Sequence, residues 1–141
     1  MTQNYGLTFA QRLIDEGKFE EALVLAGREA ARDPADPEPL MDRATAFMSL
    51  ERYAEAVLEL EQALRLDEEA QVLETDFVDD TMFSALLGEA RATKDVKAAV
   101  ARLSHYRAMF PKGRHLADLE TWSARLRGEG LDAIIVKERE A

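Results

Sequence analysis

The sequence predicts an all-α fold of antiparallel helix pairs stacked in a row, on three observations. Apolar residues recur three and four apart, the spacing of an amphipathic helix. The pattern returns every 34 residues, as Ala10 and Ala44, Phe19 and Tyr53, and Ala22 and Ala56 show. Gly17, Pro34 and Pro37 stand between the apolar stretches, where a helix must stop. A lone helical hairpin cannot hide both of its apolar faces. Stacked hairpins bury a continuous core, so a period of this length marks a repeat architecture.

In the first unit Gly6, Phe9, Ala10 and Leu13 form the core face of helix A, and Gly17 ends it. Phe19, Ala22, Leu23, Ala26 and Ala30 make the face of helix B. Asp33-Pro34 terminates helix B, because proline lacks an amide donor and drives the residue before it out of helical geometry. The second unit repeats the plan, with Leu40, Ala44 and Phe47 on helix A and Tyr53, Ala56, Val57, Leu60 and Ala63 on helix B. "DPADPEP" is a proline-stiffened connector between the two units.

A third unit follows at a wider interval. Met82, Phe83, Leu86, Leu87 and Ala90 line its helix A, and Val96, Ala99, Leu103, Tyr106 and Pro111 follow the helix B pattern. Val96 lies 43 residues after Tyr53 rather than 34, which places the additional residues in "DEEAQVLETDFVDDT". The "LLG" at 86–88 stands one residue out of register and predicts a turn shortened by one. Asp79, Asp80 or Thr81 is expected to cap the third helix A. Leu116, Leu119, Trp122 and Leu126 read as a solvating end helix, broken by the glycines at 128–130. The expected organisation is a single domain over 1–127, with units at about 4–36, 38–70 and 81–113 and an end helix over 114–127. An acidic insertion fills 67–81, and a short tail occupies 128–141.

These residues resemble the tetratricopeptide repeat (TPR) family. Ala10, Gly17, Phe19, Ala22 and Pro34 match its motif in the first unit. Ala44, Tyr53, Ala56 and Ala63 match in the second, where Glu51 replaces the glycine and Glu68 the proline. In the third unit Val96 replaces the aromatic. The resemblance covers residues 5–127. It implies a right-handed superhelix of antiparallel helix pairs, about three repeats closed by an end helix. It also implies a non-catalytic protein–protein interaction module that takes a peptide or helix of a partner protein in a concave groove lined by helix A. Its groove positions would fall on Leu7, Gln11 and Ile14 in the first unit and Met41, Thr45 and Met48 in the second. In the third they fall on Ser84 and Arg91, with Gly88 between them. Methionine is soft and suits variable apolar ligands. The same side chains could equally complete the packing between neighbouring A helices. The version of the family that clamps an acidic C-terminal tail needs Lys and Asn on helix A. Leu7, Gln11 and Asp42 stand there, so capture of such a tail is not expected. Two alternatives remain open: a secretion-chaperone-like protein that shields an apolar client segment, and a scaffold subunit that assembles with copies of itself.

Composition narrows the classes further. The net charge is −10, which argues against a nucleic acid partner. The charge is polarised: residues 1–66 carry −6, 67–81 carry −7 and 82–141 carry +3. Such an arrangement can orient an encounter with a protein partner or with another copy. Cysteine is absent, which removes disulfides, thiolate nucleophiles and Cys-based zinc sites. No signal peptide or membrane-spanning run is visible, so a cytoplasmic location is expected. His105 and His115 have no ligand partners at local metal spacing. Asp76, Asp79 and Asp80 lack the alternation, central glycine and closing glutamate of a calcium loop. No phosphate-cradling loop is present. The expectation is therefore no catalysis, no cofactor and no metal.

Overall fold

The computed structural model describes residues 8–128. Every regular element among them is an α-helix: α1 (Phe9–Asp15), α2 (Phe19–Arg32), α3 (Glu38–Ser49), α4 (Tyr53–Ala70), α5 (Thr75–Ala92), α6 (Val96–Met109) and α7 (Leu116–Gly128). Gly6, Leu7 and the tail from 129 lie outside the described residues. None of the described helices is long and apolar enough to cross a membrane. The chain divides into two compact units, Met1–Val78 and Asp79–Ala141, with the boundary inside α5.

In unit 1 each helix packs on the next, α1 on α2, α2 on α3 and α3 on α4. The two A helices, α1 and α3, also touch. The seam is made of small side chains. Ala10, Ala22, Ala26, Ala44, Ala56 and Ala63 are all fully buried, and Val57, Leu60 and Phe47 fill the wider gaps. Alanine lets helix backbones approach closely without cost to helix propensity, which explains its recurrence at fixed positions. Phe9 departs from the expected core face. It is 58% exposed and lies beneath the Arg12 guanidinium.

The A-to-B turn explains the glycine position of the period. Gly17 adopts φ +79°, and its amide and that of Lys18 donate to Ile14 and Leu13 at 2.9 and 2.8 Å. Glu51, one period later, is forced into the same left-handed region at φ +58°. There Glu51 and Arg52 donate to Met48 and Phe47 at 3.0 and 2.9 Å. The geometry is thus kept although the residue suited to it is gone. The third turn, residues 93–95, has the same three-residue length as 16–18 and 50–52, so the expected shortening does not occur. There the Asp95 carboxylate caps α6 by accepting from the Lys97 and Ala98 amides at 3.0 and 3.3 Å.

Helix B length follows the prolines. Asp33 and Phe110, each followed by proline, leave the helix at φ −133° and −132° and end α2 and α6 after 14 residues. The corresponding position in α4 is Glu68, and nothing stops the helix there. It runs on to Ala70 and ends at left-handed Gln71, with the Asp67 carboxylate accepting from Val72 and Leu73 at 2.7 and 3.1 Å. The acidic stretch 67–81 is consequently mostly helix, ending α4 and beginning α5 with only 71–74 between them. Asp79, Asp80 and Thr81 therefore sit inside α5 and do not cap it. The missing stop signal had moved both helix boundaries.

The left-handed turns give a direct test. A non-glycine residue there costs about 1–2 kcal/mol, partly offset by the entropy glycine loses on folding. Glu51→Gly is expected to raise stability by about 0.5–1 kcal/mol and Gly17→Ala to lower it by about 1 kcal/mol. Urea titration followed by circular dichroism measures both.

Candidate functional site

Two clusters of polar side chains and one apolar stripe are the candidates, and each is built by a particular helix contact. In unit 1 the short α1 begins at Thr8, whose hydroxyl accepts from the Gln11 amide at 3.0 Å. The Gln11 side chain in turn accepts from the Thr8 amide at 3.1 Å, closing a capping box. Both side chains then reach α3. Thr8 Oγ1 donates to Asp42 Oδ2 at 2.9 Å, and Gln11 Nε2 donates to Asp42 Oδ1 at 3.0 Å. Asp42 is buried, and desolvation pushes its pKa up despite these two bonds, with Glu29 and Glu38 adding to the rise.

This network uses Gln11, one of the residues assigned to the groove from sequence. Met41 is only 6% exposed and serves the core. Ile14, Thr45 and Met48 keep partial exposure on α1 and α3, and the Thr45 hydroxyl donates to the Met41 carbonyl at 3.0 Å. Ile14 and Met48 occupy the same place in the 34-residue period. In unit 2 Ser84 and Arg91 are exposed on α5, with the Arg91 guanidinium 5.4 Å over the Trp122 ring. Leu7 lies outside the described residues.

The second polar cluster lies in unit 2 and joins α5, α6 and the start of α7. Asp79 is buried, and its carboxylate accepts from the Tyr106 hydroxyl and, at 2.9 Å, from the Arg114 amide. The same Tyr106 oxygen accepts from the His115 amide at 2.9 Å. Burial and the Asp79 bond push the tyrosine pKa up to about 12, so it stays protonated and donating. The His115 ring stacks on Phe83 with centroids 4.8 Å apart and planes 7° from parallel. Its Nε2 meets Asp80 at 2.7 Å and its Nδ1 meets Asp118 at 3.1 Å. Burial opposes the imidazolium, but the two carboxylates outweigh it and raise the His115 pKa. Gly113 is required by this packing, since a Cβ there would overlap the Tyr106 hydroxyl and press on Phe110.

Asp79, Asp80 and His115 bring three ligand atoms within 4.8 Å of one another. Sequence spacing gave no sign of this, because 35 residues separate Asp80 from His115. Asp79 and Asp80 also bind Arg114, and His115 is held at both ring nitrogens. The groups satisfy one another, so the cluster acts as a fastener for the start of α7. It presents no nucleophile–base pair aimed at a shaped pocket.

No protein-family profile matches the sequence, and no curated protein matches it. Among solved structures, the second TPR domain of human RPAP3, determined by NMR in complex with the HSP70 peptide SGPTIEEVD, is similar to this chain. The TM-score is 0.55 at 19% sequence identity, over 85% of this chain and 90% of that one. The likeness at that identity is one of fold, and the chain has the helical-repeat fold of a TPR domain.

Two titrations test the networks. The Asp42 pKa is raised above its ordinary 3.8, so the fold favours the neutral acid and loses stability as pH rises from there through the folded value. Asp42→Asn, permanently neutral, is expected to gain on the wild type between pH 3.5 and 7. A stability difference that is flat across that range would refute this. The raised His115 pKa makes the opposite substitution case. Its contribution is complete below about 6.5 and fades as pH rises through the folded value. His115→Gln is therefore expected to cost most near pH 6 and least above pH 8, measured by thermal unfolding.

Proposed function

We propose that the chain is a non-catalytic interaction module that binds a peptide or helical segment of a partner protein along its A helices. The observation that carries this reading is the partly exposed stripe of Ile14, Thr45 and Met48 on two A helices that touch each other. Met41 forms its floor, and Gln11 stands beside it, held by Asp42. Ser84 and Arg91 hold the corresponding register positions on α5, in unit 2. The TPR fold supports the reading, since the similar RPAP3 domain is bound to a peptide. The stripe suits an apolar ligand: an isoleucine and a methionine adapt to several side-chain shapes, and the neighbouring threonine spends its hydroxyl on its own helix.

The test is selection of linear peptides from a displayed random library on the wild-type protein. Ile14→Glu with Met48→Glu places two charges on the stripe without opening the alanine seam. Selected peptides are expected to bind this double variant at least tenfold more weakly, about 1.4 kcal/mol. Val24→Glu, on an exposed face of α2, should leave their binding unchanged. Equal binding by wild type and the stripe variant, or no enrichment at all, would refute the assignment.

A further inference from the structure

The packing leaves two apolar recesses outside the A-helix stripe. In unit 1 a recess of about 450 Å³ lies against α1 and α2, with Phe9, Leu13, Val24 and Leu25 as its floor. Glu20 and Glu21 stand on its rim, with Arg28 farther along α2. Phe9 and Val24 are 58% and 56% exposed, a costly placement for a large ring and a branched side chain. In unit 2 a recess of about 560 Å³ is floored by Val96, Val100 and Ala101 and rimmed by Lys97 and Arg127. Its origin is visible in the repeat. Val96 stands where Phe19 and Tyr53 open the other B helices, so the aromatic that would fill this space is missing.

We propose that these two surfaces are complementary and that one copy of the chain docks head to tail on a second copy. The acidic rim of the first hairpin meets the basic rim of the α6–α7 recess of the other copy, and Phe9 and Val24 enter the space over Val96 and Val100. Charge complementarity favours the pairing: Glu20 and Glu21 face Lys97 and Arg127, whereas two α6–α7 recesses would oppose only like charges and two first-hairpin recesses would set four glutamates against two copies of Arg28. The distribution along the chain agrees, with −6 on residues 1–66 and +3 on 82–141. Such a contact is heterologous, so the assembly keeps one free recess at each end and grows with concentration as an open chain, or as a ring where the rotation closes. The patches are small, which places the association at the weak end of protein–protein contacts.

Sedimentation velocity of the full chain, from about 20 µM to about 1 mM, reads the association in the range that small interfaces reach. The weight-average sedimentation coefficient of the wild type is expected to rise with concentration, less so at 500 than at 100 mM salt. Glu20→Lys with Glu21→Lys should abolish the rise, although it moves the net charge from −10 to −6 and weakens overall repulsion. Lys97→Glu with Arg127→Glu should abolish it too, and mixing the two variants should restore it. Circular dichroism of each variant checks that the helices are intact. A wild type that stays monomeric throughout overturns the proposal. So does association abolished by the first pair of substitutions but untouched by the second, which would mean a symmetric contact between first hairpins. A chain that associates only when truncated after Gly128 overturns it as well, since residues 131–136 would then be the natural occupant of the α6–α7 recess.

Discussion

The repeat depends on one contact: alanine against helix backbone, where one hairpin crosses the next. Helix axes come within about 8–10 Å only when the facing side chains are small enough to interdigitate. Ala10, Ala22, Ala26, Ala44, Ala56 and Ala63 meet that condition with no exposed surface at all. Their registration demands that each helix B return over its helix A at a fixed offset. The left-handed turns at Gly17 and Glu51, with their paired carbonyl contacts, supply that offset. Glu51 shows the order of priority. The backbone keeps its conformation against the preference of its residue, because twelve or more helical residues on either side hold it there.

Much of this was legible before any coordinates. The period, the alanines, the turn at Gly17 and the stops at Pro34 and Pro111 are local signals, and local signals survive in sequence. The spacing of Val96 from Tyr53 located additional residues in "DEEAQVLETDFVDDT". The helix cap expected at 79–81 was misplaced, because Glu68 carries no proline ring and α4 continues, so the additional residues lengthen helices. Phe9 was assigned to the core by its spacing. A helix of seven residues offers a single buried turn, which Ala10 takes. Gln11 and Met41 were placed on the groove by register alone, and register could not show that Gln11 would also bond the buried carboxylate of Asp42 or that Met41 would be only 6% exposed.

The two buried acids perform parallel tasks and were the hardest features to foresee. Asp42 receives Thr8 and Gln11 from a helix too short to be stable alone. Asp79 receives Tyr106 and the Arg114 amide just before α7 begins. Each therefore ties down a segment that apolar burial secures poorly, across 34 and 35 residues respectively. Burying a carboxylate is expensive unless its lone pairs are filled. Each carboxylate oxygen accepts one bond, and the donors come from elements whose position would otherwise be loosely specified. The stability gained per bond is modest; the gain lies in fixing where α1 and α7 sit within their own units.

Repeat folds carry an inherent difficulty at surfaces where no further hairpin follows. The same spacing that makes an inner helix amphipathic on two sides leaves a terminal one with apolar groups facing water, and a polar substitution at those positions is the usual remedy. The α7 helix takes that remedy in part, placing Glu120, Thr121, Ala124 and Arg127 outward while Leu119 and Leu126 are buried. In the first hairpin Phe9 and Val24 stay exposed, and in α6 a valine stands in place of the aromatic beside an open recess. Each of these choices loses favourable burial within the isolated chain. Their acidic and basic rims turn that loss into a matched pair of surfaces, which is the physical ground for assigning them to contact rather than to folding.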